Sequence, residues 1–142
     1  MNIVIPYNIF EIKKIFFQKP VDNKIKYYNY FYRILYNETY YTIQNIIISI
    51  PLTHVITNYS NKIYKISFNN SLLYSLFYIE YEILKHINLI TNKKIERLLY
   101  NDCTYKRYIL YLNKPINQIL LRISGIWESK DKIGITYKFI SR

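Results

Sequence analysis

The sequence predicts an α+β domain in which an antiparallel, barrel-like sheet holds one inserted amphipathic helix. Three observations carry this. Runs rich in Tyr, Phe and Ile with strand-like alternation occupy residues 9–68 and return over 105–140. Between them, over 72–90, the apolar residues switch to helical spacing. Hydrophobic residues make up 51% and charged residues 20%, with two Gly and four Pro, which excludes a disordered chain and leaves little room for linkers. Residues 1–142 read as a single domain.

Residues 9–17 form the first expected strand, stopped by Lys19-Pro20. Two long β-prone runs follow, 24–36 and 39–50, separated by Asn37-Glu38. In 24–36, alternation puts Ile25, Tyr27, Phe31, Arg33 and Leu35 on one face and Lys24, Lys26, Tyr28, Tyr30, Tyr32 and Ile34 on the other. The pattern leaves open which face is buried, because a one-residue slip exchanges them. In 39–50, Ile46, Ile48 and Ile50 share a face opposite Ile43 and Ile47, as in a central strand, and Pro51 ends it.

After a polar stretch over 57–61, residues 62–68 give a strand with Tyr64, Ile66 and Phe68 inward. Leu72, Leu76, Ile79, Ile83 and Ile87 then recur at helical spacing, behind Asn70 or Ser71 as a cap. A shorter, more basic helix is expected over 91–100, a strand over 105–112, and a closing hairpin of 116–127 and 133–140. Trp127 is expected on the strand face of Ile119, Leu121 and Ile123 as a core residue, and mid-strand Gly125 suggests a bulge. Strands, helix, then strands suit an OB-fold, although seven candidate strands exceed its five.

Catalytic chemistry is hard to place. His54, His86 and Cys103 are the only nitrogen and sulfur metal ligands, too few for a zinc cluster, so no metal or cofactor is expected. Glu80 and Glu82 fall on different helix faces, and the isolated Gly125 and Gly134 make no phosphate loop. The expectation is a protein that is not an enzyme. A lone cysteine suggests a reducing compartment, and the first residues lack a secretory pattern. The uncharged stretch 39–61 contains Gln44, Asn45, His54 and Asn58, too polar for a span, so no membrane insertion and a cytoplasmic location are expected.

Twenty Lys and Arg against nine Asp and Glu give a net charge of +11, which favours a polyanionic partner. Ile, Asn, Lys, Tyr and Phe are all read from AT-rich codons, so codon bias is a competing source of the 18 tyrosines and the charge. The binding pattern is an interleaving of rings and bases. Lys24, Lys26, Arg33, Lys62, Lys65, Arg107, Arg122 and Lys138 are the candidate phosphate contacts, and Tyr28, Tyr30 and Tyr32 the candidate stacking rings. This points to sequence-independent binding of single-stranded nucleic acid, DNA ahead of RNA, with a homo-oligomer left open. The alternative is a virion or assembly component whose aromatic surface meets protein.

Several segments also resemble a family. Ile34-Leu35-Tyr36, the run 43–51 ending in Pro51, the strand 64–68, the helix 77–87, Ile123-Ser124-Gly125-Ile126-Trp127-Glu128 and Gly134-Ile135-Thr136-Tyr137-Lys138-Phe139 resemble single-stranded-DNA-binding OB-fold proteins of large nucleocytoplasmic DNA viruses. The resemblance implies DNA binding in a host cytoplasm or viral factory. Such proteins commonly end in an acidic tail, whereas residues 137–142 are basic, so tail-mediated partners are not expected.

Overall fold

The computed structural model describes residues 3–22, 30–106 and 108–142. Its strands are β1 (Val4–Pro6), β2 (Ile15–Phe17), β3 (Val21–Asp22), β4 (Tyr30–Asn37), β5 (Thr42–Gln44), β6 (Ile46–Ile50), β7 (Val55–Ser60) and β8 (Ile63–Phe68). Helix α1 (Asn70–Thr91) follows, then β9 (Lys94–Ile95), α2 (Leu98–Tyr105), β10 (Leu110–Leu112), β11 (Ile119–Glu128) and β12 (Lys132–Ser141). The α+β class holds. Among the described residues the pairings do not close into a barrel: β1-β6-β11-β12-β9 is an open run, and β10-β8-β7 forms a separate three-stranded sheet.

The large sheet is built around β11. One edge pairs antiparallel with β12 along its length, and the other is divided between β6 (Ile119 to Ile123) and β4 (Gly125 to Glu128). Beyond Arg33, β4 leaves β11 and pairs with β2 and β5 instead. A register shift between Ile123 and Gly125 in the β11–β12 ladder marks the bulge that Gly125 suggested. A Cβ on Gly125 would fall 2.2 Å from the Tyr32 carbonyl oxygen, so only glycine allows this approach.

The bulge has a second effect. Ile119, Leu121 and Ile123 face the core, but past the extra residue Ile126 takes the core side and Trp127 turns to the opposite face. Trp127 is buried, as expected, yet on the other side of the sheet from that expected. Its ring lies against Gly134, where a Cβ would come within 2.3 Å of Cζ2.

The faces of β4 also need correction. Tyr32, Ile34 and Tyr36 are core residues, whereas Arg33 is exposed, so the face proposed for ligand is the packed one. Residues 23–29 lie outside the described residues, and with them most of the expected 24–36 strand's first half. The expected strand over 39–50 is broken at Asn45, whose φ of 64° is left-handed and puts Ile43 and Ile46 both into the core. The supposed polar loop at 57–61 is mostly strand β7. Asn61 and Lys62, both at positive φ, make the tight turn into β8.

Helix α1 covers the core face with Leu72, Leu76, Ile79, Ile83, Leu84 and Ile87 buried. Its cap is Asn69, whose Oδ1 accepts the Leu72 N–H at 2.9 Å, one residue before the expected Asn70. Asn92, at φ 54°, ends it in a left-handed turn. The second helix begins later than expected because its cap is not local. Arg97, at the cap position of α2, offers no side-chain acceptor; instead buried Glu80 of α1 accepts the N–H of Leu99 at 2.6 Å and of Tyr100 at 3.0 Å. The Arg97 guanidinium lies over the Tyr100 ring at 4.4 Å, completing the joint.

Candidate nucleic-acid interface

The face of the large sheet turned away from the helices carries a cationic pair. Along β11 alternation sends Leu121 and Ile123 to the core and Arg122 outward. There it stands directly opposite Lys138 of β12 on one side and beside Ile47 of β6 on the other. Arg33 of β4, opposite Gly125, lies on the same face just past the bulge, two residues along the facing β12, about 7 Å at a strand's rise. All three are exposed. Directly opposed like charges cost a few tenths to about 1 kcal/mol, so opposite charge is the usual neighbour at such positions.

Among the described residues no carboxylate forms an ion pair with them. Among the described residues the ion pairs join Glu11, Glu38, Glu96, Asp102 and Glu128 to Lys13, Lys14, Lys93, Lys106 and Lys132. Glu80 is buried beneath α2. Arg33, Arg122 and Lys138 take part in none of these ion pairs.

A second group forms on the outward face of the three-stranded sheet. Lys65 of β8 sits between Asn58 of β7 and Tyr111 of β10. Its ammonium lies 5.2 Å from the Tyr108 ring centroid, and Asn58 Nδ2 donates to the Tyr108 hydroxyl at 3.1 Å. Tyr111 meets Tyr108 edge-on at 6.2 Å and is 60% exposed, a ring open to stacking. Lys62 occupies the adjoining β7–β8 turn and is exposed. Lys138 and Lys106 line one cleft with Asp102, Leu110 and Tyr137, which brings β12 up to the start of β10.

The candidate residues therefore divide. Arg33, Arg122 and Lys138 share one face; Lys62 and Lys65 share another sheet with Tyr108 and Tyr111. Lys24, Lys26, Tyr28 and Arg107 lie outside the described residues. Tyr30 is partly exposed at the end of β4. Tyr32 is a structural residue: its hydroxyl donates to Glu128 Oε1 at 2.6 Å inside the core. Burial first, and then the Glu128 carboxylate, hold that hydroxyl well above the ordinary tyrosine range, so it remains a donor. Lys93 binds the other Glu128 oxygen and the Ser129 carbonyl, closing a buried polar network that ties β4, β11 and the segment after α1.

The sparse nucleophiles and bases are engaged elsewhere. His54 Nε2 meets the Tyr7 hydroxyl at 3.3 Å, and His86 Nδ1 donates to the Glu82 carbonyl at 2.7 Å. Burial pushes the Cys103 thiol up to about 12, with the Asp102 and Glu80 charges adding to it. Among the described residues no group of three His, Cys, Asp or Glu side chains could hold a metal ion, and no helix is long and apolar enough to cross a membrane.

Sequence reasoning missed a row of exposed rings on one helix. Tyr74, Tyr78 and Tyr81 lie exposed on α1. Their i, i+4, i+7 spacing was the available signal, set against the apolar stripe on the helix's other side. Comparison with protein-family models, curated proteins and solved structures found no match to this chain.

Proposed function

We propose that this protein is a non-catalytic, sequence-independent binder of single-stranded nucleic acid, with DNA favoured over RNA. The observation that carries the reading is the directly opposed Arg122–Lys138 pair, with Arg33 on the same face and none of the three in an ion pair among the described residues. A phosphate backbone laid across this face would convert the repulsion into attraction and release counterions. Lys62 and Lys65, beside the exposed Tyr111 ring, would extend the contact to a surface where a base can stack. An open twisted sheet presents this alternation as well as an OB-fold-like barrel would. On this reading the protein acts in a reducing, cytoplasmic compartment, which becomes a host cytoplasm or viral factory if its source is a large DNA virus.

The test is fluorescence anisotropy with labelled single-stranded DNA, single-stranded RNA and duplex DNA across a salt series. The expected result is tighter single-strand binding that weakens steeply with salt. Arg122→Ala and Lys138→Ala should each lower the salt slope by about one. Equal, weak binding to all three with an unchanged slope in both variants would overturn the proposal. Self-association insensitive to salt would instead favour the aromatic protein interface.

A further inference from the structure

The first half of α1 meets the N-terminal segment across a cleft whose walls are mostly rings. Tyr7 and Phe10 form one side, and Tyr74 and Tyr78 of α1 form the other. Ile12 and Ile79 supply an apolar floor, and among the described residues no charged side chain lines the space. Its volume is about 370 Å³, near the low end of the range for small-ligand pockets.

The two sides differ in how they are held. Tyr7 is fixed by its hydrogen bond to His54 and an edge-on contact with the same ring at 5.5 Å. Phe10 stacks on buried Tyr36 with centroids 5.5 Å apart and planes 22° from parallel. Tyr74 and Tyr78 project from helix α1 and are largely exposed, which leaves their hydroxyls accessible at the rim of the cleft. Ser75 Oγ donates to the Ser71 carbonyl at 3.3 Å, which leaves its lone pairs as acceptors inside the cleft. An aliphatic ligand would need none of these rings or hydroxyls. A planar heteroaromatic ring uses both: its faces meet the ring walls and its edge meets the hydroxyls.

We propose that this cleft takes one nucleobase, unstacked from a single strand, whose charged backbone stays outside the uncharged walls. The inference deepens the nucleic-acid reading and rests on it only for how the base arrives. Its test uses 2-aminopurine, whose emission falls when it stacks on another ring, both as the free deoxynucleoside and as a single substitution within oligothymidine. Quenching by the protein is expected in both forms. Tyr74→Ala and Tyr78→Ala should each weaken nucleoside binding about fivefold or more, the low end of what one lost stacking partner costs. Both rings are largely exposed, so the variants should keep the wild-type circular dichroism, and Tyr105→Ala, outside the cleft, should change nothing.

Absence of nucleoside quenching, or quenching unchanged in both tyrosine variants, would overturn the proposal. The two readings fail separately. Oligonucleotide binding that depends on Arg122 and Lys138 but not on Tyr74 or Tyr78 would remove the cleft and keep the binder. Nucleoside quenching that depends on Tyr74, with no salt-dependent oligonucleotide binding, would do the reverse.

Discussion

Replacing Glu80 tests how the two helices are joined. Its side chain is fully buried, and its two oxygens serve the backbone N–H groups of Leu99 and Tyr100, which the first turn of α2 cannot satisfy itself. Glu80→Ala strands both donors at about 1–3 kcal/mol each. It also removes a negative charge from the helix's positive end, worth a further fraction of a kcal/mol. The sum is about 2–6 kcal/mol, or a fall in Tm of about 7–20 °C for a chain of this size. Glu80→Gln keeps one acceptor oxygen and should lose about half as much. Urea titration followed by circular dichroism measures both. A Glu80→Ala loss below about 1 kcal/mol would refute the reasoning, because α2 would then need no cap from α1. The pH dependence has a definite sign. Burial raises the Glu80 carboxyl above its ordinary value, against the lowering by the two N–H groups and Arg97. The folded state therefore holds the proton more tightly than the unfolded one. Wild-type stability relative to Glu80→Gln should be greatest below the unfolded carboxyl's pKa and decline as pH rises through the folded value.

Gly134→Ala would drive a methyl group into the Trp127 ring, 2.3 Å from Cζ2, and should cost about 1–3 kcal/mol or more. The emission of the chain's one tryptophan and a thermal melt report it together, and an unchanged spectrum would contradict the packing. Lys62→Gly relieves a positive φ of 63° in the β7–β8 turn while deleting a candidate phosphate contact. It should raise the melting temperature slightly and weaken oligonucleotide binding, a divergence that an effect on folding alone would not produce. Cys103, its thiol pushed up to about 12, should react with a disulfide reagent at pH 8 far more slowly in native protein than in urea, and equal rates would refute its burial.

What could be read from the sequence followed the strength of the local pattern. Helix α1 repeats its apolar residues over five turns, and the β11–β12 hairpin alternates on long strands, so both were visible within one segment. The errors arose where distant residues decide. Strand β4 carries rings on both faces, so only the burial of Tyr32 against Glu128 shows which side is core. Exposed β7 reads as a loop because Thr57, Asn58 and Ser60 have no apolar partner to alternate with. Helix α2 was shifted because its cap comes from Glu80, eighteen residues before it begins. The candidate site shows the same division: Arg122 and Lys138 were each recognisable as basic strand residues, but their opposition requires the ladder register.

The divided edge of β11 sets the order in which this protein can come together. Strands β4 and β6 are made early and have partners nearby in β2, β3, β5 and β1, yet the remaining edge of each waits for a strand at residues 119–128. At a synthesis rate of about 5–20 residues per second, the apolar run Ile46–Ile50 waits several seconds for Ile119–Ile123. During that wait an uncharged hydrophobic strand edge is open to any neighbouring chain. Contacts this remote along the chain also close slowly in a refolding experiment. A protein assembled this way gains the central strand of its large sheet only once residues 119–128 are made, and β4 and β6 are joined in that one step. Any delay in making the β11–β12 hairpin is therefore a period of vulnerability to aggregation for the open edges of β4 and β6.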